Sequence, residues 1–159
     1  MNNNTHKSYT VKEATVKLMQ FCAYRDRSHK EVEEKLREMN MIPAAQEKII
    51  IQLMQEDFLN EERFARSFVR GKFRIKKWGR IKIKRELKLK DISSPIIKIA
   101  LREIDEDDYY TTLHDLAEKK LNLIRETDPF KKKKKLSDHL LRKGYEANLV
   151  FEVSNSFFE

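Results

Sequence analysis

The sequence predicts an all-α fold: three tandem three-helix repeats stacked into an elongated molecule, with room for curvature. Three observations carry this. First, EVEEKLREMNMIPAAQEKIIIQL from Glu31 aligns without gaps to KIKRELKLKDISSPIIKIALREI from Lys82 and KLSDHLLRKGYEANLVFEVSNSF from Lys135. Second, six columns of that alignment are apolar in every copy: Val32/Ile83/Leu136, Leu36/Leu87/Leu140, Met41/Ile92/Tyr145, Ala45/Ile96/Leu149, Ile49/Ala100/Val153 and Leu53/Ile104/Phe157. They are spaced by four residues, with one step of five, which is a helical period and not the two of a strand. Third, the chain has only 3 Gly and 3 Pro, too little turn chemistry for a many-stranded fold.

The elements follow in order. Residues 1–9 are expected to be a flexible tail, and the repeats to span 10–57, 58–105 and 106–159. Each repeat opens with a longer helix: VKEATVKLMQFCAY, NEERFARSFVRGKFRI and DDYYTTLHDLAEKKLNLIRE. In the second of these, Phe64, Phe68 and Ile75, with Ala65 and Val69, mark an apolar stripe. A second helix starts at Ser28, Gly79 and Asp128-Pro129, residues suited to N-caps. It stops at Asn40, Asp91 and Gly144, three aligned residues of the types that tolerate a left-handed C-terminal cap. A third helix then starts near Pro43 and Pro95, the latter behind the candidate caps Ser93 and Ser94. WGRIKIKRELKLKD, with its strand-like alternation of Ile81, Ile83, Leu87 and Leu89, therefore contains a helix whose buried edge is Ile83 and Leu87. Each unit is too small to bury a satisfactory core by itself, so neighbours are expected to stack.

Charge is concentrated. Of a formal net charge of +8, the segment from Arg70 to Lys90 carries eleven basic residues against Glu86 alone, leaving the remainder slightly acidic. Arg70, Lys72, Arg74, Lys76, Lys77, Arg80, Lys82, Lys84, Arg85, Lys88 and Lys90 form a candidate surface for a polyanion, whereas a solvated lysine-rich face is the blander reading. Two roles are open for Trp78: stacking on an exposed base between these cations, or covering a junction between units. Phe73 favours the core. The run Lys131 to Lys135 could extend the track, and Arg25 and Arg27 are weaker candidates for it.

The motifs EDFLNEERFARSFV and WGRIKIKRELKLKDI resemble the RecX family of bacterial recombination regulators. The match runs through Glu56, Asp57, Phe58, Leu59, Asn60, Glu61, Glu62, Arg63, Phe64 and Ala65. It continues at Gly79, Glu86, Leu87, Lys88, Lys90 and Ile92, and Asp91 replaces the usual glycine. AYRDRSHKEVEEKL, with Ser28, Glu31 and Leu36, and LLRKGY resemble the family's first-unit and third-unit signatures. The resemblance implies a three-unit helical protein that binds the RecA recombinase filament and damps its activity in recombination, repair and the SOS response. It also implies lodging in the filament groove and touching DNA, with no catalytic residue to carry over.

Enzymatic chemistry has little support in the residues. His6, His29, His114 and His139 are scattered, Cys22 has no nearby histidine, and Gly71, Gly79 and Gly144 form no phosphate loop, so no metal or cofactor is expected. Glu103, Asp105, Glu106, Asp107 and Asp108 read as a helix start, where carboxylates favour the positive end of the dipole. One cysteine excludes an internal disulfide framework and fits a reducing compartment. MNNNTHKSYT lacks an apolar signal core and no stretch suits a bilayer, so a soluble, cytoplasmic monomer is expected.

The expected mechanism is phosphate neutralisation on single- and double-stranded DNA by the middle unit, tolerant of sequence and sensitive to salt. Reversing Lys82, Lys84, Arg85 and Lys88 to Glu should then weaken DNA binding without unfolding. Two alternatives stay open: a stand-alone helical nucleic-acid-binding protein whose helix pairs dock as helix-turn-helix units, and a helical scaffold for proteins whose charge serves solubility.

Overall fold

In the computed structural model, which describes residues 8–159, helix starts fall on residues chemically suited to cap them. Nine helices are present among the described residues, with no strand: α1 Val11–Tyr24, α2 His29–Glu38, α3 Pro43–Gln55, α4 Glu61–Arg74, α5 Arg80–Leu89, α6 Ser94–Leu101, α7 Glu106–Leu123, α8 Pro129–Arg142 and α9 Ala147–Ser156. Thr10 and Ser28 each form a reciprocal capping box, with Glu13 and Glu31. Asn60, Asp105 and Asp128 accept backbone N–H groups at the starts of α4, α7 and α8. Pro43, Pro95 and Pro129 lie in first turns, where a missing N–H costs nothing. Ser93 caps α6 by position only, without a side-chain bond.

The repeat is visible in the backbone. Asn40, Asp91 and Gly144 all have positive φ, at 59°, 60° and 98°. After each one the next amide turns back on the preceding helix: Met41 to the Leu36 carbonyl at 3.1 Å, Ile92 to Leu87 at 3.1 Å, Tyr145 to Leu140 at 3.4 Å. Two apolar columns of the sequence alignment are thus joined by the same hydrogen bond three times, which ends one helix and aims the next. In the first two columns, Val32, Ile83 and Leu136, then Leu36, Leu87 and Leu140, all six side chains are fully buried.

The closest helix packing lies within α1–α3, within α4–α6 and within α7–α9. The cores divide differently. Ala14, Leu18, Cys22, Val32, Leu36, Ile49 and Leu53 of the first repeat form one cluster, completed by Leu59 from the start of the second. Phe64, Val69, Ile83, Leu87, Ile97, Tyr109, Leu113, Leu136, Leu140 and Tyr145 belong to one cluster running through the second and third. The first repeat therefore draws on its neighbour's first residues, Phe58 and Leu59, but shares no cluster with the helices beyond them. Three amphipathic helices and the link after α3 make up the first cluster, while Tyr109 and Tyr145 bridge the other two repeats, bonding Arg80 and Lys77.

The junctions differ accordingly. Between the first and second repeats, Arg63 Nε donates to Asp26 at 2.7 Å, His29 faces Glu61 at 3.6 Å, and Lys30 donates to the Leu89 carbonyl at 3.0 Å. Between the second and third, aromatic side chains meet: Phe73 lies 5.9 Å from Tyr109, and the Tyr145 hydroxyl donates to the Lys77 carbonyl at 2.9 Å, with the two tyrosine rings 5.0 Å apart behind them.

Two local expectations change. Ile75, assigned to the apolar stripe of α4, caps that helix and is 78% exposed; the stripe ends at Phe73, and the chain turns away from the core at residue 75. Of the expected tail, residues 1–7 lie outside the described residues, but Tyr9 packs against the core of the first repeat.

Candidate nucleic-acid interface

The basic segment runs from the last turns of α4, through a tight turn, into α5. Lys77 adopts φ 59°, the amide of Trp78 reaches back to the Lys72 carbonyl at 3.1 Å, and that of Lys77 to Phe73 at 3.1 Å. This double bond pattern closes α4 and exposes Arg74, Lys76 and Lys77 at the turn.

The start of α5 is capped from another repeat. Gly79 has no side chain to offer, unlike Ser28 at the aligned position, and the third repeat takes its place. The Gly79 amide donates to the Lys143 carbonyl at 2.8 Å and the Ile81 amide to Gly144 at 2.9 Å. Arg80's amide donates to the Tyr109 hydroxyl at 3.0 Å. The negative end of α8 thus meets the positive end of α5, a favourable alignment of helix dipoles. The approach leaves no room for a Cβ on Gly79, which would run into the Gly144 carbonyl, nor on Gly144, which would run into Lys82.

Arg80 is occupied at this junction. Its guanidinium donates to Glu146 at 3.0 Å and Glu106 at 2.8 Å and lies 4.0 Å over the Tyr109 ring. Burial works against its charge, but Glu146 and Glu106 outweigh that and raise its pKa. The Tyr109 hydroxyl also donates to Glu146 at 3.0 Å, and burial pushes the phenol pKa up. Arg80 therefore ties two repeats together. Arg70 is engaged as well, 3.4 Å from Glu103, which Arg66 binds at 2.9 Å.

The other basic residues fall into two sets. Lys72 and Lys82 lie over the Trp78 ring, at 5.0 and 4.4 Å, and Lys72 and Lys90 over Phe68, at 5.4 and 5.8 Å. Trp78 itself is half-buried against the shared core, so its faces are covered by alkyl-ammonium chains. Phe73 is in the core. Lys84, Arg85 and Lys88 are exposed on α5, away from Ile83 and Leu87, and have no carboxylate partner among the described residues. At ~100° per residue they share an outward arc of about 100° on that helix. With Arg74, Lys76 and Lys77 they are the basic residues between Arg70 and Lys90 that form no ion pair or ring contact among the described residues.

Some cations were misjudged or missed in the sequence. Arg27, a candidate for the track, is buried, donating to the Phe21 carbonyl at 2.9 Å and lying 3.7 Å over its ring. Arg25 pairs with Glu31. Lys143 donates to the Lys76 carbonyl at 3.3 Å, joining the turn from the third repeat. Lys120, Arg125, Lys135 and Arg142 surround a cleft of about 360 Å³ between α7 and α8. Only tertiary packing assembles these groups, and no sequence period announces them. Beside them burial, with Lys120, Lys143 and Arg142, pushes the His139 pKa down.

The acidic segment behaves as expected for a helix start: Asp105 caps α7, accepting from Asp108 at 3.1 Å. His114, judged solitary, shares an exposed cluster with Asp115 and Glu118 on α7, and its ring lies 5.0 Å from Phe157. No described helix is long and apolar enough to cross a membrane.

Residues 60–101 match the family model described as the second three-helix domain of RecX, and residues 106–153 match the third. The chain belongs to the RecX family. The regulatory protein RecX of Clostridium acetobutylicum is 36% identical over 136 residues, covering 83% of this chain and 63% of that one. That of Bacillus cytotoxicus is 27% identical, covering 88% of this chain and 52% of its own length. The chain thus spans between half and two thirds of these RecX proteins. The crystal structure of RecX from Lactobacillus salivarius is similar with a TM-score of 0.83 at 26% identity, covering 92% of this chain and 95% of that one. A second RecX crystal structure, at 20% identity and a TM-score of 0.83, shares the fold.

Proposed function

We propose that this chain regulates recombination by binding the RecA recombinase filament and its DNA, inhibiting or modulating the recombinase without catalysis of its own. Membership of a family whose curated members are named regulatory proteins supports the regulatory half. The DNA half rests on one observation: Lys84, Arg85 and Lys88 stand outward on α5 with no carboxylate to neutralise them. Such groups exchange condensed counterions for contact with phosphates, giving affinity that tolerates sequence and falls with salt. Lysine predominates over arginine, asparagine or glutamine, which suits backbone contact better than base reading. Arg74, Lys76, Lys77 and Lys143 extend the same track. The protein works in the cytoplasm, where the filament forms.

The test adds the purified protein to RecA on single-stranded DNA and follows strand exchange and ATP hydrolysis, with a variant carrying Lys84→Glu, Arg85→Glu and Lys88→Glu alongside. The wild-type chain should slow strand exchange and the variant should do so poorly. Unchanged strand exchange with wild-type protein refutes the regulatory reading. Equal inhibition by both proteins refutes the α5 track alone.

A further inference from the structure

The third repeat carries a groove that the basic track does not use. On α8, Phe130, Lys134 and Leu141 share one face and form one wall; Phe151 and Asn155 of α9 form the other, with Ser137 at the base. The floor is made by small residues. Ser137 and Ser154 are buried and their hydroxyls hydrogen-bond at 3.0 Å, which draws α8 and α9 together. The larger side chains on either side then stand proud of the floor and enclose about 480 Å³. Phe130 is 79% exposed, Phe151 49% and Leu141 37%. Three large apolar side chains around one recess are more than scattered surface hydrophobics, and such patches mark contacts with partners.

The rim gives the sign of the partner. Lys133 and Lys134 line the groove, and they belong to the run Lys131 to Lys135. Lys134 is paired with Asp138 at 3.0 Å and Lys135 with Glu126 at 3.7 Å, but Lys131, Lys132 and Lys133 have no carboxylate partner among the described residues. A second copy of this chain, at net charge +8, is a poor occupant. A nucleic acid would place phosphates beside the Asp138 carboxylate, which lines the groove with the lysines.

We propose that the α8–α9 groove is a protein-docking site that receives an acidic amphipathic helix of a partner. Its apolar residues seat between Phe130, Leu141 and Phe151, and a carboxylate of its polar face meets Lys133, the lysine of the groove lining that forms no ion pair among the described residues. This is the helix-in-groove mode of recognition, with the two walls supplying anchors and the lysines supplying register and encounter rate.

Three synthetic helical peptides test it, sharing one Leu/Phe face and carrying Glu, Gln or Lys on the polar face. Each is fluorescently labelled and titrated with the full chain, with Phe130→Ala, Phe151→Ala and Lys133→Glu variants, and with a labelled oligothymidylate as a separate probe. The Glu peptide should bind about tenfold more tightly than the Gln peptide, and either Phe variant should weaken it about tenfold. Lys133→Glu should narrow the gap between the Glu and Gln peptides, while oligothymidylate affinity stays within about twofold of wild type. The proposal is overturned if the three peptides bind alike, or if the Phe variants bind the Glu peptide as well as wild type. It is also overturned if those variants lose oligothymidylate instead, or abolish a self-association seen in the wild-type chain by sedimentation.

Discussion

The amide of Ile81, in the first turn of the basic helix, donates to the carbonyl of Gly144 in the third repeat at 2.9 Å. The helix that presents Lys84, Arg85 and Lys88 is therefore oriented by a neighbour's C-terminus rather than by a cap of its own. Gly79→Ser, which installs the residue found at the aligned position 28, should destabilise the protein even though serine is the better N-cap. Its Cβ has no space against the Gly144 backbone. Gly144→Ala adds the strain of φ +98° to the same collision. Each should cost about 2–4 kcal/mol, read from urea unfolding. A Gly79→Ser protein as stable as wild type would refute the close approach.

Arg80 should behave as a structural arginine. Arg80→Ala leaves the half-buried Glu146 without its arginine, while exposed Glu106 stays solvated, and stability should fall by about 1–3 kcal/mol. Nonspecific DNA affinity, measured where the variant is folded, should change less than for Lys84→Ala. The reverse pattern, full stability with DNA binding lost, would return Arg80 to the anion track.

The first repeat should be separable. Its core takes in Phe58 and Leu59 from the link that follows α3, and beyond that link it meets the second through Asp26–Arg63, His29–Glu61 and Lys30–Asp91, which salt screens. We propose that residues 60–159, starting at the Asn60 cap of α4, fold cooperatively without it, as judged by circular dichroism and a single thermal transition. By contrast, residues 10–105, which cut through the shared core, should unfold over a broad range. Loss of cooperativity in the 60–159 fragment would contradict the division.

Acid should weaken the fold in two stages. His139 has its pKa lowered from the ordinary 6.5 by burial and by Lys120, Lys143 and Arg142. The unfolded chain therefore binds that proton first, and stability should begin to fall as pH drops below about 6.5. Glu103, held below the ordinary carboxylate value by hydrogen bonds from Arg66 and Arg70, contributes stability that is lost at lower pH. His139→Gln should flatten only the first stage in urea midpoints measured against pH; a parallel curve would show that His139 does not titrate in this window.

Much of the fold was legible because the same hydrogen bond ends a helix in each repeat, and that demand leaves Asn40, Asp91 and Gly144 in register. Ile83 and Leu87 were readable as a buried edge for the same reason. Arg80 was not separable from its neighbours, because its partners Glu106 and Glu146 lie 26 and 66 residues away. Arg27 was hidden similarly: nothing local distinguishes an arginine laid over Phe21 from one in solvent. Ile75 misled because its spacing continues the stripe while the backbone does not.

Salt dependence of DNA affinity, measured for wild type and for the protein with Lys84→Glu, Arg85→Glu and Lys88→Glu, probes the outward face of α5 most directly. If three phosphate contacts are lost, affinity for duplex should drop and the slope of log K against log salt should become shallower by about 2.7. Identical affinity and identical slope in the folded variant would show that phosphates meet this protein somewhere else.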